Sequence, residues 1–461
     1  SGFLMPAFQD SASLGASLNI PYYKVISDNK DLTLRPRFYA DSKLLLQNEF
    51  RMVDSKSKHT IDTSILSETG KNNKAHFFSQ SVASLNFSNF DERELKLEFQ
   101  QTTNDTYLKT YKMKSPIIND TNVLKSSLII DAYREDLSFS AELYAYEDLS
   151  KRKSDRYEFI YPSYNLSKHL SDTNFLLNSS GYIKNYDTNI FEKVLINDLI
   201  FNSDSKFTNN GFKNNYNFLI KNINTDGTNS KKYKQKRDHK LASLIELNSS
   251  YPLIKEKEKY TSVLKPLVSL KYSPNNSKNM RDEDRRIDSN NIFSFNRIGS
   301  SDSVEGGASF TYGAEFLRIN QNDEEIFGLK IANIFRPKED ENLPSISKMG
   351  NKTSDFVGNI KYRPNDFFNT NYNFSIDNNM TDTNYQLINA EVKINNFITS
   401  FEYLNENSTI ESQSYLSNKT SYIINNANKF IYEARQNKEK NITEFYNLIY
   451  QYKNDCLIAA I

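Results

Sequence analysis

Residues Lys265–Phe316 read KPLVSLKYSPNNSKNMRDEDRRIDSNNIFSFNRIGSSDSVEGGASFTYGAEF. The run opens on an alternating segment, Leu267-Val268-Ser269-Leu270-Lys271-Tyr272, and breaks at Pro274. A polar stretch follows with Asp282, Glu283, Asp284, Arg285, Arg286 and Asp288, then Asn291, Phe293, Asn296, Arg297, Gly299, Glu305, Gly306 and Gly307. A second alternating segment runs from Ser309 to Phe316. Phe310, Tyr312 and Ala314 share one of its faces, and Ser309, Thr311 and Gly313 share the other. Successive side chains of a strand point to opposite faces, so the stretch predicts strand, long ordered connection, strand. A connection this long, with its own pattern of Asn, Arg and Gly, is expected to be functional or tightly packed.

The same period of two recurs along the chain. Leu32, Leu34, Pro36, Phe38 and Ala40 alternate with Thr33, Arg35, Arg37 and Tyr39. Leu137, Phe139, Ala141, Leu143 and Ala145 alternate with Ser138, Ser140, Glu142, Tyr144 and Tyr146. Phe368, Thr370, Tyr372, Phe374 and Ile376 alternate with Asn369, Asn371, Asn373, Ser375 and Asp377. No helical period of comparable length competes, and polar clusters between the runs supply turns. At roughly 18 residues per strand and connection, the chain holds about 25 antiparallel strands, near the upper range of single-chain barrels. Alternation alone also fits a series of sandwiches or a solenoid. No composition shift marks a domain boundary, and no fixed repeat marks a solenoid.

Composition narrows the class. Only 38% of the 461 residues are hydrophobic, yet there are 29 Tyr and 31 Phe against 13 Gly and 11 Pro. Disordered chains lack such aromatics. Mean hydropathy is −0.67, and no apolar run reaches the length of a membrane helix. A transmembrane β-barrel accommodates both features, because only alternate residues meet lipid and aromatics collect at the interfaces. With no Trp, Tyr and Phe must form that girdle. The net charge of +1 creates no field for nucleic acid. The basic run Lys231 to Lys240, KKYKQKRDHK, reads as a solvated loop.

Candidate chemistry is sparse. His59, His76, His169 and His239 have no metal-ligand spacing and are expected on exposed polar segments. No nucleophile motif or phosphate-binding glycine loop is present, so neither an enzyme nor a cofactor or metal site is expected. Asp282, Glu283 and Asp284 beside Arg281, Arg285 and Arg286 read as an ion-paired loop. Pro21 and Pro36 fall inside two early β-like runs. Proline removes a ladder donor, so it marks either edge protection or a seam built to open. The single cysteine, Cys456, can form no disulfide within the chain.

Several motifs, in order, resemble the LptD family of lipopolysaccharide-assembly proteins. They are Ser1-Gly2-Phe3-Leu4-Met5-Pro6, Ile20-Pro21-Tyr22-Tyr23, Leu32 to Arg37 with Glu49-Phe50-Arg51, Asp105-Thr106-Tyr107-Leu108, and the stretch quoted above. Ile326 to Lys330, Phe335-Arg336, Leu343-Pro344-Ser345, Ser354 to Gly358 and Asp455-Cys456-Leu457 continue the series. The resemblance implies an all-β, large antiparallel transmembrane barrel of about 24–26 strands in the Gram-negative outer membrane. It implies residues 1–8 as the junction from a periplasmic β-jellyroll, with 9–461 as a barrel lacking its last strand or strands. It implies insertion of lipopolysaccharide into the outer leaflet through a lateral gate between first and last strands, with Pro21 and Pro36 as gate prolines. Asp284, Asn291, Phe293, Arg297, Glu305, Gly306, Gly307 and Gly313 become the family-signature loop, and Cys456 pairs outside the chain. Implied partners are lipopolysaccharide, an LptE-like lipoprotein plug, and an LptA-like periplasmic bridge reached through the jellyroll. A general porin and a surface adhesin are the rival readings.

Overall fold

In a computed structural model, the chain is described at residues 1–461 except 12, 88, 153, 408–411, 454–457 and 461. Cys456 lies outside the described residues. The described residues contain 29 strands, one helical turn at Tyr107–Thr110 and one 3-10 turn at Ile346–Lys348. Neighbouring strands pair antiparallel, as in Tyr260–Ser273 with Gly307–Asn320, where Leu270 faces Phe310. Of the 29, 22 have nine residues or more, enough to cross a hydrocarbon core. The excess over the expected 24–26 comes from short pieces. Gly2–Phe3 and Ala7–Gln9 pair with Tyr22–Ser27 and Ser17–Asn19 as two interrupted crossings. Lys206–Phe207 and Leu253–Lys257 extend hairpins.

The chain packs as two units, Ser1–Leu199 with Lys221–Leu241, and Ile200–Ile220 with Ala242–Ile461. In the first, Ser57–Ser67 shows how the period of two is used. Thr60, Asp62, Ser64 and Leu66 are buried, while Ile65 on the opposite face is 44% exposed. In the second, Ser309 and Thr311 are buried, while Tyr312 across the strand is 37% exposed. Leu247, Leu270 and Tyr272 are more than half exposed. Exposed apolar faces opposite covered polar ones invert the rule for a soluble sandwich, whose sheets bury their apolar faces against each other. The pattern is that of strands with lipid on one side and a polar interior on the other.

Antiparallel strands send alternate connections to opposite ends. In the first unit, 40–43, 68–73 and 103–122 share one end, and 54–56, 85–91 and 135–136 share the other. In the second unit, 274–306, 336–355 and 377–382 share an end, opposite 321–324, 366–367 and 395–396. The long connections therefore gather at one end of each unit, and two of them fold back over a polar face.

Candidate functional site

Connection 274–306 is fastened to the wall of the second unit by buried charge. Arg297, Glu305 and Arg336 are each at most 4% exposed. Arg297 Nε donates to Glu305 Oε2 at 2.6 Å, and its other nitrogens donate to Thr311 Oγ1 at 2.6 Å and Ser309 Oγ at 2.7 Å. Arg336, just beyond the strand Glu325–Phe335, donates to Glu305 and, through Nε, to the Met349 carbonyl at 3.0 Å. Burial alone would push the Glu305 carboxyl up, but Arg297 and Arg336 outweigh it and hold the group well below the usual carboxylate range. A second buried pair continues the network. Lys271 Nζ lies 3.2 Å from Glu246 Oε1 and donates to the Phe295 carbonyl at 3.3 Å. Asn217 Nδ2 donates to Glu246 at 2.6 Å. Thus strand residues supply acids and bases, and the connection lays its own charge and carbonyls onto them.

Two glycines make this approach feasible. A Cβ on Gly306 would fall 2.7 Å from the Ser277 backbone nitrogen, and Gly307 holds a φ of +73°. Apolar packing completes the seat, with Met280, Ile287, Ile292 and Ile298 against Ile334, Leu343 and Val357. Phe293 packs at its margin. Asn291 shapes the loop itself, accepting from the Asp288 amide at 2.9 Å and donating to the Arg286 carbonyl at 2.9 Å. Gly313 faces Ala332 on the neighbouring strand. Asp284 is exposed and stands apart from the buried cluster. The expected ion-paired loop is formed in part. Arg285 Nε donates to Glu283 at 2.6 Å, but Arg286 reaches outside the loop to Glu406 and stacks 3.9 Å from the Tyr385 ring.

Connection 103–122 covers the first unit by different means. Tyr107 and Leu108 are fully buried, with Tyr111, Met113 and Ile117, against Leu45, Leu66, Phe78 and Leu124. Beneath the Tyr107 ring lies a short polar chain. Ser64 Oγ is 2.7 Å from the Tyr107 hydroxyl and 2.6 Å from His76 Nδ1, and His76 Nε2 is 3.3 Å from Asp62 Oδ1. Gln47 Nε2 donates to both Asp62 oxygens at 3.0 Å and to the Lys114 carbonyl of the connection at 2.8 Å. Burial pushes the Tyr107 hydroxyl up, so it stays neutral at ordinary pH. The expectation of exposed histidines fails at His76. It sits on the strand Lys74–Ser84, 3% exposed, because the connection roofs the polar face it occupies. Serine, histidine and aspartate in series resemble a hydrolytic triad, but the group is sealed from solvent and serves to seat Tyr107.

The two early prolines lie together at the first strands. Ile20 opposes Pro36, and the Ile20 amide donates to the Pro36 carbonyl at 3.0 Å. Leu4 donates in the same way to the Pro21 carbonyl at 2.8 Å. In each pair the reciprocal bond is missing, because proline carries no amide hydrogen. Pro21 also falls in the gap between Ser17–Asn19 and Tyr22–Ser27, whereas Pro36 stays within Lys30–Tyr39.

Over residues 74–434 the sequence matches the family described as LptD, LPS transport system D. The chain belongs to the LptD family. The LPS-assembly protein LptD of Legionella pneumophila strain Lens is 27% identical over 177 residues, covering 35% of this chain and 20% of the relative. That of Pseudomonas entomophila is 24% identical over 213 residues, covering 45% and 22%. That of Pseudomonas aeruginosa strain LESB58 is 37% identical over 68 residues, covering 15% and 7%. The matches thus span about a fifth or less of these relatives' lengths. Among solved structures, the ferric preacinetobactin receptor BauA of Acinetobacter baumannii aligns at TM-score 0.30 and 6% identity, over 96% of this chain and 76% of the receptor. The FrpB iron transporter of Neisseria meningitidis aligns at 0.32 and 8%, over 93% and 75%.

As an LptD-family member the chain is an outer-membrane β-barrel protein, and the family's names are those of transport and assembly rather than of an enzyme. Of the signature residues, the structure joins Arg297, Glu305, Gly306 and Gly307 in one seat, with Phe293 and Asn291 at its border. Sequence reading missed their wall partners Lys271, Glu246 and Asn217. Their one signal was an ionisable or amide residue on the polar face of an alternating strand.

Proposed function

We propose that this LptD chain inserts lipopolysaccharide into the outer leaflet, releasing it sideways between its first and last strands. The observation that carries this reading is the family match over residues 74–434. Physical chemistry supports the route. Saccharide and phosphate groups need a polar interior, while acyl chains pass into hydrocarbon at little cost only through the wall. A closed barrel has no free edge, so lateral release requires one weakly bonded line. The one-sided pairs at Pro21 and Pro36 loosen the pairing among the opening strands that flank such a line, since each forgoes a backbone bond of about 1 kcal/mol. The ends bearing the long connections face the cell exterior on this reading, because such barrels carry short periplasmic turns. Connections 103–122 and 274–306 then roof the polar faces from outside. Residues 1–8 lead from a periplasmic jellyroll that receives lipid from an LptA-like bridge. An LptE-like lipoprotein occupies the interior, and Cys456 pairs outside the chain.

Depletion of the full-length protein tests the function. Newly made lipopolysaccharide should stop reaching the cell surface while outer-membrane porins persist. Undiminished surface arrival would overturn the reading.

A further inference from the structure

The basic run Lys231 to Lys240 belongs to neither roof, yet it stands beside a groove on the outward wall of the first unit. The wall's two faces are well separated there. Val194 and Ile196 are buried under Tyr233, while Leu195 between them is 39% exposed. On the strand Asp238–Ser250, Leu241 is 68% exposed. The groove holds about 340 Å³ and is floored by Gly181, Leu195 and Tyr164. A Cβ at Gly181 would fall 2.8 Å from the Val194 carbonyl, so the floor is open where any other residue would fill it. Lys193, Arg237 and His239 stand on its walls, with Asp226 as their acidic neighbour.

The run itself is predominantly basic. The run carries Lys231, Lys232, Lys234, Lys236, Arg237 and Lys240 against Asp238. Asp238 lies 3.5 Å from both Lys234 and Lys240, so a single acid is shared by two bases. Connection 229–237 leaves the wall at the same end as 103–122 and 187–189, the end with the longest connection of this unit. An apolar trough that faces hydrocarbon and opens beneath a basic rim matches a lipid with an acyl chain below an anionic head.

We propose that this groove is a docking site for one molecule of lipopolysaccharide resident in the outer leaflet. Its acyl chain lies over Gly181 and Leu195, and its phosphates meet Lys193, Arg237 and the basic run. The site is distinct from the lateral exit. Its orientation rests on the reading above, in which the long connections face outward. Lipopolysaccharide is favoured over a phospholipid because several phosphates on one head match several bases on one rim.

The test places a photo-reactive residue at Leu195 of the full-length protein in native outer membranes. The expected result is an adduct with lipopolysaccharide. It should fall at least about tenfold in K193E/R237E, since each basic side chain near an anionic surface contributes a factor of about five. It should be unchanged in K440E, a reversal at an exposed lysine of another connection. If replacing Leu195 blocks assembly, the lipopolysaccharide co-purifying with unlabelled K193E/R237E gives the same comparison. No adduct, an adduct with phospholipid alone, or an adduct indifferent to the charge reversal would overturn the proposal. Surface delivery is followed separately. Unchanged delivery on depletion would sink the transport function while the Leu195 adduct still decides this site.

Discussion

The two roofs do the same job with opposite chemistry. In the first unit, connection 103–122 is seated by Tyr107 and Leu108 in an apolar pocket, with the hydrogen-bonded Gln47–Asp62–His76–Ser64 chain beneath. In the second, connection 274–306 is seated by Arg297, Glu305 and Arg336, with Lys271 and Glu246 alongside. An apolar seat gains from burial itself, whereas a buried ion network must first offset the loss of water around each charge. The first roof should therefore depend on shape. The second should depend on every charge being present.

The largest effect is expected from breaking the second seat. Glu305→Ala leaves two buried guanidiniums without their acid and should cost about 3–5 kcal/mol. Hydrogen exchange should report it as opening of 274–306 while 103–122 stays protected. Leu108→Ala is the matching break in the first seat, at about 3 kcal/mol for a fully buried leucine. It should open 103–122 and leave 274–306 closed. If either substitution loosened both roofs equally, the seats would not be independent.

Acid sharpens the contrast with a smaller effect. The folded Glu305 carboxyl lies below its unfolded value, so its stabilisation is complete above the ordinary glutamate range and is lost as pH falls. Below about pH 4 the second roof should weaken by up to about 1.4 kcal/mol per pH unit. Limited proteolysis between pH 7 and pH 3 should cut 274–306 progressively faster as the pH falls. The smallest effect belongs to the rim. Arg281 and Glu341 lie 3.7 Å apart and are both mostly exposed. Arg281→Ala should change unfolding by no more than about 0.5 kcal/mol. A large loss there would show that the exposed part of the loop, rather than its buried charges, holds the roof.

Much of this was readable before any coordinates. Period two gave the strands, because Ser309 to Phe316 alternates as a pleated strand must. The polar signature loop was marked by its length and by Arg297, Glu305 and Gly306. What stayed hidden was the covering of polar faces. His76 reads as an exposed histidine because nothing near it in sequence announces Tyr107, which arrives through a connection about thirty residues on. Lys271 reads only as a base in an alternating strand because Glu246 and the Phe295 carbonyl come from other segments. Alternation states which residues share a face. It does not state whether that face meets water, a partner or the chain's own loop. The missing bonds at Pro21 and Pro36 sit between these extremes. Proline announces the lost donor, but only the register shows that Ile20 and Leu4 are the residues left with one-sided pairs.

The lateral exit is tested most directly by locking it. Cysteines placed on the first and last strands of the full-length barrel would be oxidised, and lipopolysaccharide arrival at the surface followed before and after reduction. The account predicts that arrival stops when the cross-link forms and resumes when it is reduced. Normal arrival with the cross-link fully formed would contradict it.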